Sequence, residues 1–227
     1  QGWSVESTAN TGIWERTIPA GTWFQGGYAN PNTDDPTDIG QDCYVTGNIN
    51  IDAPTDDVDN GATQLTSPMI LFAEADTMTF SYSIWFFNRG GNSDPNDYVT
   101  VMLTNGIDTL ELETFTTEDT KSEWNEVRVF QFLKEEFLPT DEMQVIVTAT
   151  DDDPGHLLEC GFDNFRAEAK YSIISGVNDI VDYQLEIIPN PAKDFINIKT
   201  DLSDIQSINI TDFAGKNLIE ILRILKL

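Results

Sequence analysis

The feature that most constrains the fold of this chain is a series of segments in which apolar and polar residues alternate. In residues 77–87 the even-numbered positions, from Met78 to Phe86, are all apolar, whereas the odd-numbered ones begin as threonine and serine. Trp85 and Phe87 then make the second face apolar too, which predicts a strand with one end buried on both faces. Period-two alternation is typical of β-strands. Five further segments share it: Tyr98–Leu103, Thr109–Phe115, Trp124–Phe132, Met143–Thr150 and Gly161–Lys170.

Turn sequences rich in glycine, asparagine, aspartate and proline separate these segments, and strong helix signals are nearly absent before the last ten residues. Short strands at this spacing, without βαβ units, predict an all-β fold: an antiparallel, jelly-roll-like β-sandwich. Residues 21–61 differ, because they are rich in polar and turn-forming residues and have few apolar ones outside Cys43–Val45. A loop of that length in a compact domain is usually functional or held by an ion.

The β pattern is interrupted once and then resumes on a smaller scale. Ile196 and Ile198 alternate with polar residues, and Ile208 and Ile210 do so again. We therefore expect a β-sandwich domain at 1–171, a linker at 172–184 and a small β-sandwich-like module at 185–227. The final stretch 217–227 fits either a strand or a helix.

The negative charge of the chain limits the classes of partner that it can bind. The sequence has 39 Asp and Glu against 12 Lys and Arg, a net charge of −27, and residues 1–170 hold 31 of the acidic residues but only 7 of the basic ones. Nucleic acids and anionic membranes are disfavoured, because both require clustered Lys and Arg. No apolar run approaches the roughly 20 residues of a membrane span. The carboxylates either form a solvated surface or include ligands for cations.

Six short motifs occur in a fixed order: GW at 2–3, TGIWERTIP at 11–19, DCYVTGN at 42–48, DDVDNGATQLTSP at 56–68, FSYSIWFFN at 80–88 and ECGFDNFRAEA at 159–169. In this order, residues 2–168 resemble a non-catalytic β-sandwich module of secreted bacterial proteins, often found behind zinc carboxypeptidase domains of the M14 type. The resemblance implies a jelly roll of the type shared by carbohydrate-binding modules and adhesive extracellular domains.

The C-terminal region carries a second set of motifs, LEIIPNPAKDFINIKT at 185–200 and IQSINITDFAGK at 205–216. These resemble the C-terminal sorting domain of the type IX secretion system of Bacteroidota. The resemblance implies that residues 185–227 are recognised by the outer-membrane translocon, and that the protein is secreted or attached to the cell surface. The family usually continues with more strands, whereas this chain stops at Leu227.

Asp57 and Asp59 lie in an acidic loop beside a flexible glycine and offer the oxygen ligands that calcium prefers. In jelly-roll modules a structural calcium commonly joins an early loop to an acidic residue on the last strand, and Asp163 matches that position. The resemblance therefore implies a structural Ca²⁺ held by Asp57, Asp59 and Asp163. The alternative is a solvated turn. We expect the other acidic runs, Asp34–Asp35 and Asp151–Asp153, to be solvated loops, although either could hold a second ion.

The sequence has one histidine, His156, which is too few for most histidine-based catalytic sites. M14-type chemistry needs two histidines and a glutamate on zinc, and a Ser-His-Asp triad would have to use this one residue. Its position after Pro154 and Gly155 predicts a surface turn. Paired carboxylates, as in glycosidases, are the best enzymatic alternative. We nevertheless expect that the chain is not an enzyme.

Three aromatic residues of the long loop, Trp23, Phe24 and Tyr28, are candidates for a sugar-binding platform, because exposed rings stack on sugar faces. Covering the sandwich edge is the alternative. Cys43 and Cys160 fit either two buried thiols or a disulfide.

These features together favour a non-catalytic, calcium-stabilised extracellular accessory module exported by type IX secretion. Two alternatives stay open. One is a module that binds polysaccharide or a cell-surface glycan, and the other is a self-associating surface-layer or filament subunit.

Overall fold

A computed structural model describes residues 2–49, 52–172, 185–188, 195–200, 207–212 and 215–222. Contacts divide the chain into two units, residues 1–172 and 173–227. The described part of the first unit is built from strands and two short 3-10 helices, Ala53–Thr55 and Thr117–Asp119. Its strands are β1 (Ser4–Ser7), β2 (Glu15–Thr17), β3 (Trp23–Phe24), β4 (Gly27–Tyr28), β5 (Cys43–Val45), β6 (Gly61–Thr66), β7 (Thr77–Arg89), β8 (Tyr98–Thr104), β9 (Thr109–Phe115), β10 (Arg128–Leu133), β11 (Gln144–Asp151) and β12 (Leu157–Lys170).

Two antiparallel five-stranded sheets face each other. The first has the order β1-β6-β11-β8-β9 and the second β10-β7-β12-β5-β2, while β3 and β4 form a separate hairpin. Most neighbouring strands are distant in sequence, as in a jelly roll. In the described residues, every strand pair within these two sheets is antiparallel. The predicted all-β antiparallel sandwich is confirmed.

The core between the sheets follows directly from the alternation. Apolar positions of β6, β8 and β11 point toward apolar positions of β7 and β12, and all are fully or almost fully buried. Burying one such Leu or Phe side chain contributes roughly 1.5–3 kcal/mol. The largest members are Leu65, Met78, Phe80, Tyr82, Ile84, Phe86, Leu103, Phe115, Met143, Leu158 and Phe162.

The second sheet is buried on its outer face as well, at one end. Trp85 and Phe87 pack there with Cys43, Val45 and other residues of the segment 21–61. Gly161 lies against the indole of Trp85, so closely that a Cβ atom at this position would overlap the ring. The expectation that β7 is buried on both faces at one end is confirmed. The long segment is therefore not a plain loop, because it contains β3 to β5 and covers the sheet.

Some strand ends differ from the sequence prediction. β10 begins at Arg128 rather than at Trp124, and the indole N–H of Trp124 donates to the carbonyl of Thr33 at 3.0 Å. β12 begins earlier than predicted, at Leu157. The short strands β1 and β2 are mostly exposed, so they carry no apolar alternation that would have revealed them.

The described residues of the second unit form two antiparallel pairs. β13 (Leu185–Ile188) pairs with β14 (Asn197–Thr200), and β15 (Ser207–Thr211) pairs with β16 (Asn217–Leu222). The backbone N–H of Lys216, the residue before β16, donates to Oδ1 of Asp212 at 2.9 Å. The linker predicted at 172–184, apart from Ser172, and the tail after Leu222 lie outside the described residues. Within the described ranges, no helix is long and apolar enough to cross a membrane.

Candidate functional site

Asp163 lies in β12 immediately before a bulge that shifts the strand's register between Asp163 and Arg166. The carboxyl of Asp34 faces it closely enough to hydrogen-bond when one of the two is protonated. Burial raises the pKa of Asp163 well above its ordinary value, and the neighbouring Asp34 and Asp38 raise this pKa further. Two carboxylates that share a buried position repel each other unless a proton or a cation lies between them.

Asp35 lies beside this pair and is 4% exposed. Its Oδ1 accepts hydrogen bonds from the backbone N–H and the hydroxyl of Thr37, both at 2.8 Å, and the same hydroxyl accepts one from the Asn164 amide at 3.0 Å. Within the described residues, four buried carboxylate oxygens of this group have no hydrogen-bond partner: Asp34 Oδ1 and Oδ2, Asp35 Oδ2 and Asp163 Oδ2.

A cleft of about 220 Å³ opens at this group and is lined by Asp38, Asp163 and Asn164, among others. Arg16 also lines the cleft, but its guanidinium pairs with Asp42 at 2.6 Å. Arg166 lines the cleft too, and its Nε donates to Oδ1 of Asn164 at 3.2 Å, so both arginines have other partners. Asp163 borders the cleft, and the unpartnered oxygens of Asp34 and Asp35 are buried behind it. The acids concerned are thus Asp34, Asp35 and Asp163. We call these three residues the Asp163 cluster.

Asp57 and Asp59 lie elsewhere. The backbone N–H of Val58 donates to the carbonyl of Leu158, so Asp57 lies at the start of β12. Burial, then the neighbouring Asp59, raises the pKa of Asp57 to about 7. Asp59 Oδ2 accepts a hydrogen bond from the hydroxyl of Thr11 at 3.4 Å.

Glu159 lies next to Asp57 and is completely buried. Burial raises its pKa to about 8, and Asp57 and Asp56 contribute to this rise. The hydroxyl of Thr22 reaches both of its carboxylate oxygens, at 2.8 and 2.6 Å. Among the described residues, no buried carboxylate oxygen of Asp57, Asp59 or Glu159 lacks a hydrogen-bond partner, in contrast to the Asp163 cluster, so we call these three acids the bonded acidic cluster.

The expectation that Asp57, Asp59 and Asp163 surround one ion does not fit this geometry. Glu159 and Asp163 are four residues apart on one strand, which at about 3.3 Å per residue is about 13 Å. Calcium ligands all lie within about 2.3–2.6 Å of the ion. Among the described residues, no three His, Cys, Asp or Glu side chains are grouped so that one metal could contact them all.

The acidic runs expected to be solvated are partly buried. Asp151 is 7% exposed, and its two carboxylate oxygens accept from the backbone N–H groups of His156 and Asn60. The carboxyl of Asp151 therefore ties two loops together. Asp35, from the other run, is buried in the Asp163 cluster.

The prediction of a surface histidine is wrong, because His156 is only 3% exposed. Its Nε2 lies 3.0 Å from the hydroxyl oxygen of Ser93, and its Nδ1 lies 3.9 Å from Oδ2 of Asp97. The second distance is too long for a hydrogen bond. Burial raises the pKa of Asp97 to about 7. Ser93 and Asp97 thus lie on either side of the His156 ring, as in a Ser-His-Asp triad. In hydrolytic triads, however, the carboxylate is hydrogen-bonded to the imidazole and orients it, which is not the case here.

The two cysteines are free and buried. Cys160 faces the core between the sheets, whereas Cys43 lies in the cluster on the outer face with Trp85. A disulfide requires Cβ atoms about 3.8 Å apart, which side chains on opposite faces of a sheet do not reach. The disulfide alternative is therefore wrong. Burial raises the pKa of both thiols, which keeps them protonated.

The β3–β4 hairpin presents two aromatic rings to solvent. Trp23 is 41% exposed and Tyr28 39% exposed, and their ring centroids are 4.4 Å apart. Phe24, the third residue of the expected platform, instead packs edge-on against Phe87. The structure thus brings Trp23 and Tyr28 together at the surface and turns Phe24 away. Tyr28 also borders a cleft with Trp124, a residue that we had assigned to a strand.

The chain is similar to several solved structures at low sequence identity. The carbohydrate-binding module TmCBM61, solved in complex with beta-1,4-galactotriose, is 9% identical, with 74% of this chain and 88% of that chain covered at a TM-score of 0.40. The K3 cleaved adhesin domain of Lys-gingipain from Porphyromonas gingivalis W83 is 11% identical. The match covers 74% of this chain and 91% of that chain, at a TM-score of 0.40. These likenesses are too distant to bear on function. No curated protein matches the chain.

The C-terminal unit gives the firmer result. Residues 186–223 match the family described as the Secretion system C-terminal sorting domain. This range contains the β13–β14 and β15–β16 pairs almost entirely. The chain therefore carries a type IX secretion sorting domain at 186–223, and the protein is exported to the cell surface or the extracellular space.

Proposed function

We propose that this exported protein is a non-catalytic accessory module, and that a calcium ion bound by Asp34 and Asp163 beside Asp35 stabilises its β-sandwich. The observation that carries the proposal is that, in the described residues, four buried carboxylate oxygens of the Asp163 cluster lack a hydrogen-bond partner. Such a module accompanies a separate catalytic domain, and the sequence resemblance implies one of the M14 carboxypeptidase type.

The physical argument concerns the cost of burial. A buried carboxylate without donors costs several kcal/mol, so the group must be neutralised by a proton or a cation. Calcium accepts carboxylate, carbonyl, amide and water oxygens in a flexible shell. Two carboxylates from Asp34 and Asp163, completed by backbone and water oxygens, suit such a shell. We place the ion at the Asp163 cluster because, in the described residues, the bonded acidic cluster has no buried carboxylate oxygen without a hydrogen-bond partner.

Thermal unfolding tests the ion. With a Kd of about 0.1 mM, in the range of extracellular modules, 5 mM calcium stabilises the folded state by about 2.3 kcal/mol. For a domain of this size we expect the melting temperature to rise by about 5–9 °C relative to EDTA. Asp163→Asn should abolish this increase, and Asp57→Asn, in the bonded acidic cluster, should retain it.

Two outcomes would contradict the calcium proposal. One is a wild-type melting temperature that is the same in EDTA and in calcium. The other is an Asp57→Asn variant that loses the response while Asp163→Asn retains it, since this would place the ion at the other cluster.

We infer a second candidate function, the binding of a glycan, from the exposed ring pair of Trp23 and Tyr28. Large exposed rings stack on the apolar faces of sugars, and here two such rings lie in contact at the surface. Retention on insoluble polysaccharide that is lost in Trp23→Ala, with the melting temperature unchanged, would support this candidate. Equal retention of both proteins would reject the role of the ring pair.

A further inference from the structure

A cleft of about 330 Å³ lies between the loop that follows β4 and the segment that precedes β10. Its aromatic walls are Tyr28 and Trp124, and two prolines and four polar residues complete the lining. The size is at the lower end of the range for small-ligand sites. We call it the Tyr28–Trp124 cleft.

The Tyr28 wall is held from three sides. Its ring packs on Trp23, and its hydroxyl accepts a hydrogen bond from the amide of Asn32 at 3.2 Å. Gly21 lies so close that a Cβ atom there would contact the edge of the Tyr28 ring. The ring is thus fixed before any ligand arrives.

The Trp124 wall is fixed independently. Its indole N–H donates to the carbonyl of Thr33 at 3.0 Å, and its ring meets that of Trp85 edge-on, with centroids 6.4 Å apart. The hydrogen bond joins the two sides of the cleft. Rigid rings lose little conformational entropy when a ligand binds, which favours binding at a preformed site.

The polar residues that line the cleft indicate which class of ligand it can bind. Glu123 offers a carboxylate acceptor, Ser122 a hydroxyl, and Asn32 an amide, all at the same cleft as the two rings. A sugar presents an apolar face together with hydroxyl groups that both donate and accept, and the cleft has partners for each. The net charge of −27 and the carboxylate of Glu123 repel acidic polymers.

We propose that the Tyr28–Trp124 cleft binds a sugar unit of a neutral polysaccharide, with Trp124 as a stacking ring and Glu123 as a hydroxyl acceptor. This proposal rests on the glycan-binding candidate function. It adds a cleft that Tyr28 lines and Trp23 does not, so that Tyr28 belongs to both the ring pair and the cleft. It assigns a binding role to Trp124 and Glu123, which the sequence patterns did not single out.

The test measures retention of the full chain, with calcium present, on four neutral polymers: cellulose, xylan, mannan and β-galactan. Glu123→Gln removes the acceptor charge at an exposed position, and Trp124→Phe removes the bond to Thr33 while keeping a ring. Glu126→Gln is the matched exposed control. We expect Glu123→Gln to weaken binding at least tenfold and Trp124→Phe at least fivefold, while Glu126→Gln stays within twofold of the wild type.

Other results distinguish the cleft proposal from the glycan-binding function. If Trp23→Ala weakens binding but Glu123→Gln and Trp124→Phe do not, the cleft proposal is wrong and the glycan-binding function stands. If the wild type is retained on none of the four polymers, both the cleft proposal and the glycan-binding function are wrong. Because Trp124→Phe could also destabilise the fold, Glu123→Gln decides the outcome whenever the melting temperature of Trp124→Phe drops.

Discussion

Replacing the buried carboxylate Glu159 by an amide should stabilise the protein at neutral pH. Glu159 is completely buried, and burial raises its pKa from 4.5 to about 8. A carboxyl whose pKa is higher in the folded state favours folding when protonated. Its contribution is therefore fully present below about pH 4.5 and is lost as the pH rises toward 8.

The magnitude follows from the two pKa values. Between pH 5 and pH 8, a shift of this size reduces the free energy of unfolding by about 3.5 kcal/mol. Relaxation of the surrounding groups lowers such penalties, so we expect about 2–3 kcal/mol. Asp76, whose pKa is lowered to about 2 mainly by its hydrogen bond with Lys134, titrates below this range.

The assay is thermal unfolding at pH 5, 6, 7 and 8 in EDTA, so that no ion contributes. Glu159→Gln keeps an acceptor for the hydroxyl of Thr22 and removes the charge that the nearby Asp57 repels. The variant should match the wild type at pH 5 within about 0.5 kcal/mol and exceed it at pH 8, by about 5–10 °C in melting temperature. Glu126→Gln, at an exposed site, should follow the wild type throughout.

The reasoning is refuted if Glu159→Gln is less stable than the wild type at both ends of the range. In that case the carboxylate makes interactions that an amide cannot replace, and its burial is not the dominant effect. A wild-type stability that does not change between pH 5 and pH 8 would lead to the same conclusion.

Two further predictions concern packing. Gly161→Ala should destabilise the domain by about 1–3 kcal/mol in chemical denaturation, because the added Cβ overlaps the indole of Trp85; Gly27→Ala, with open space around it, should cost under about 1 kcal/mol. Cys43 and Cys160 should not react with a thiol reagent in the native state but should both react after denaturation without reductant. Detection of fewer than two thiols in the denatured chain would mean that the cysteines are oxidised.

Local patterns were sufficient to predict the sandwich. The alternation from Met78 to Phe86 describes a strand whose inner face is buried in the core, and the apolar Trp85 and Phe87 correctly indicated burial on both faces. Such patterns work because side chains on a strand point to alternate faces whatever the topology. The same alternation could not show which strands are neighbours, and the exposed β1 and β2 gave no pattern at all.

Sites that depend on topology were harder to predict. Asp34 and Asp163 are more than a hundred residues apart, and they meet only because the segment 21–61 folds over the sheet that contains β12. Sequence analysis paired Asp163 with Asp57, which instead lies near the start of that strand. His156 and Asp151 looked like turn residues, since nothing in a Pro-Gly-His sequence shows that backbone N–H groups will be bonded by a buried carboxylate.

The two proposed sites are physically connected through one short loop. Thr33 accepts the hydrogen bond that fixes Trp124, and the next two residues, Asp34 and Asp35, belong to the Asp163 cluster. A cation that holds the carboxylate of Asp34 would also hold the carbonyl of Thr33, since adjacent residues of an ordered loop cannot move independently. The unpartnered oxygens and the fixed indole are therefore two consequences of how this loop is anchored. This is a physical reason why an exported binding module would keep costly carboxylates next to its aromatic cleft.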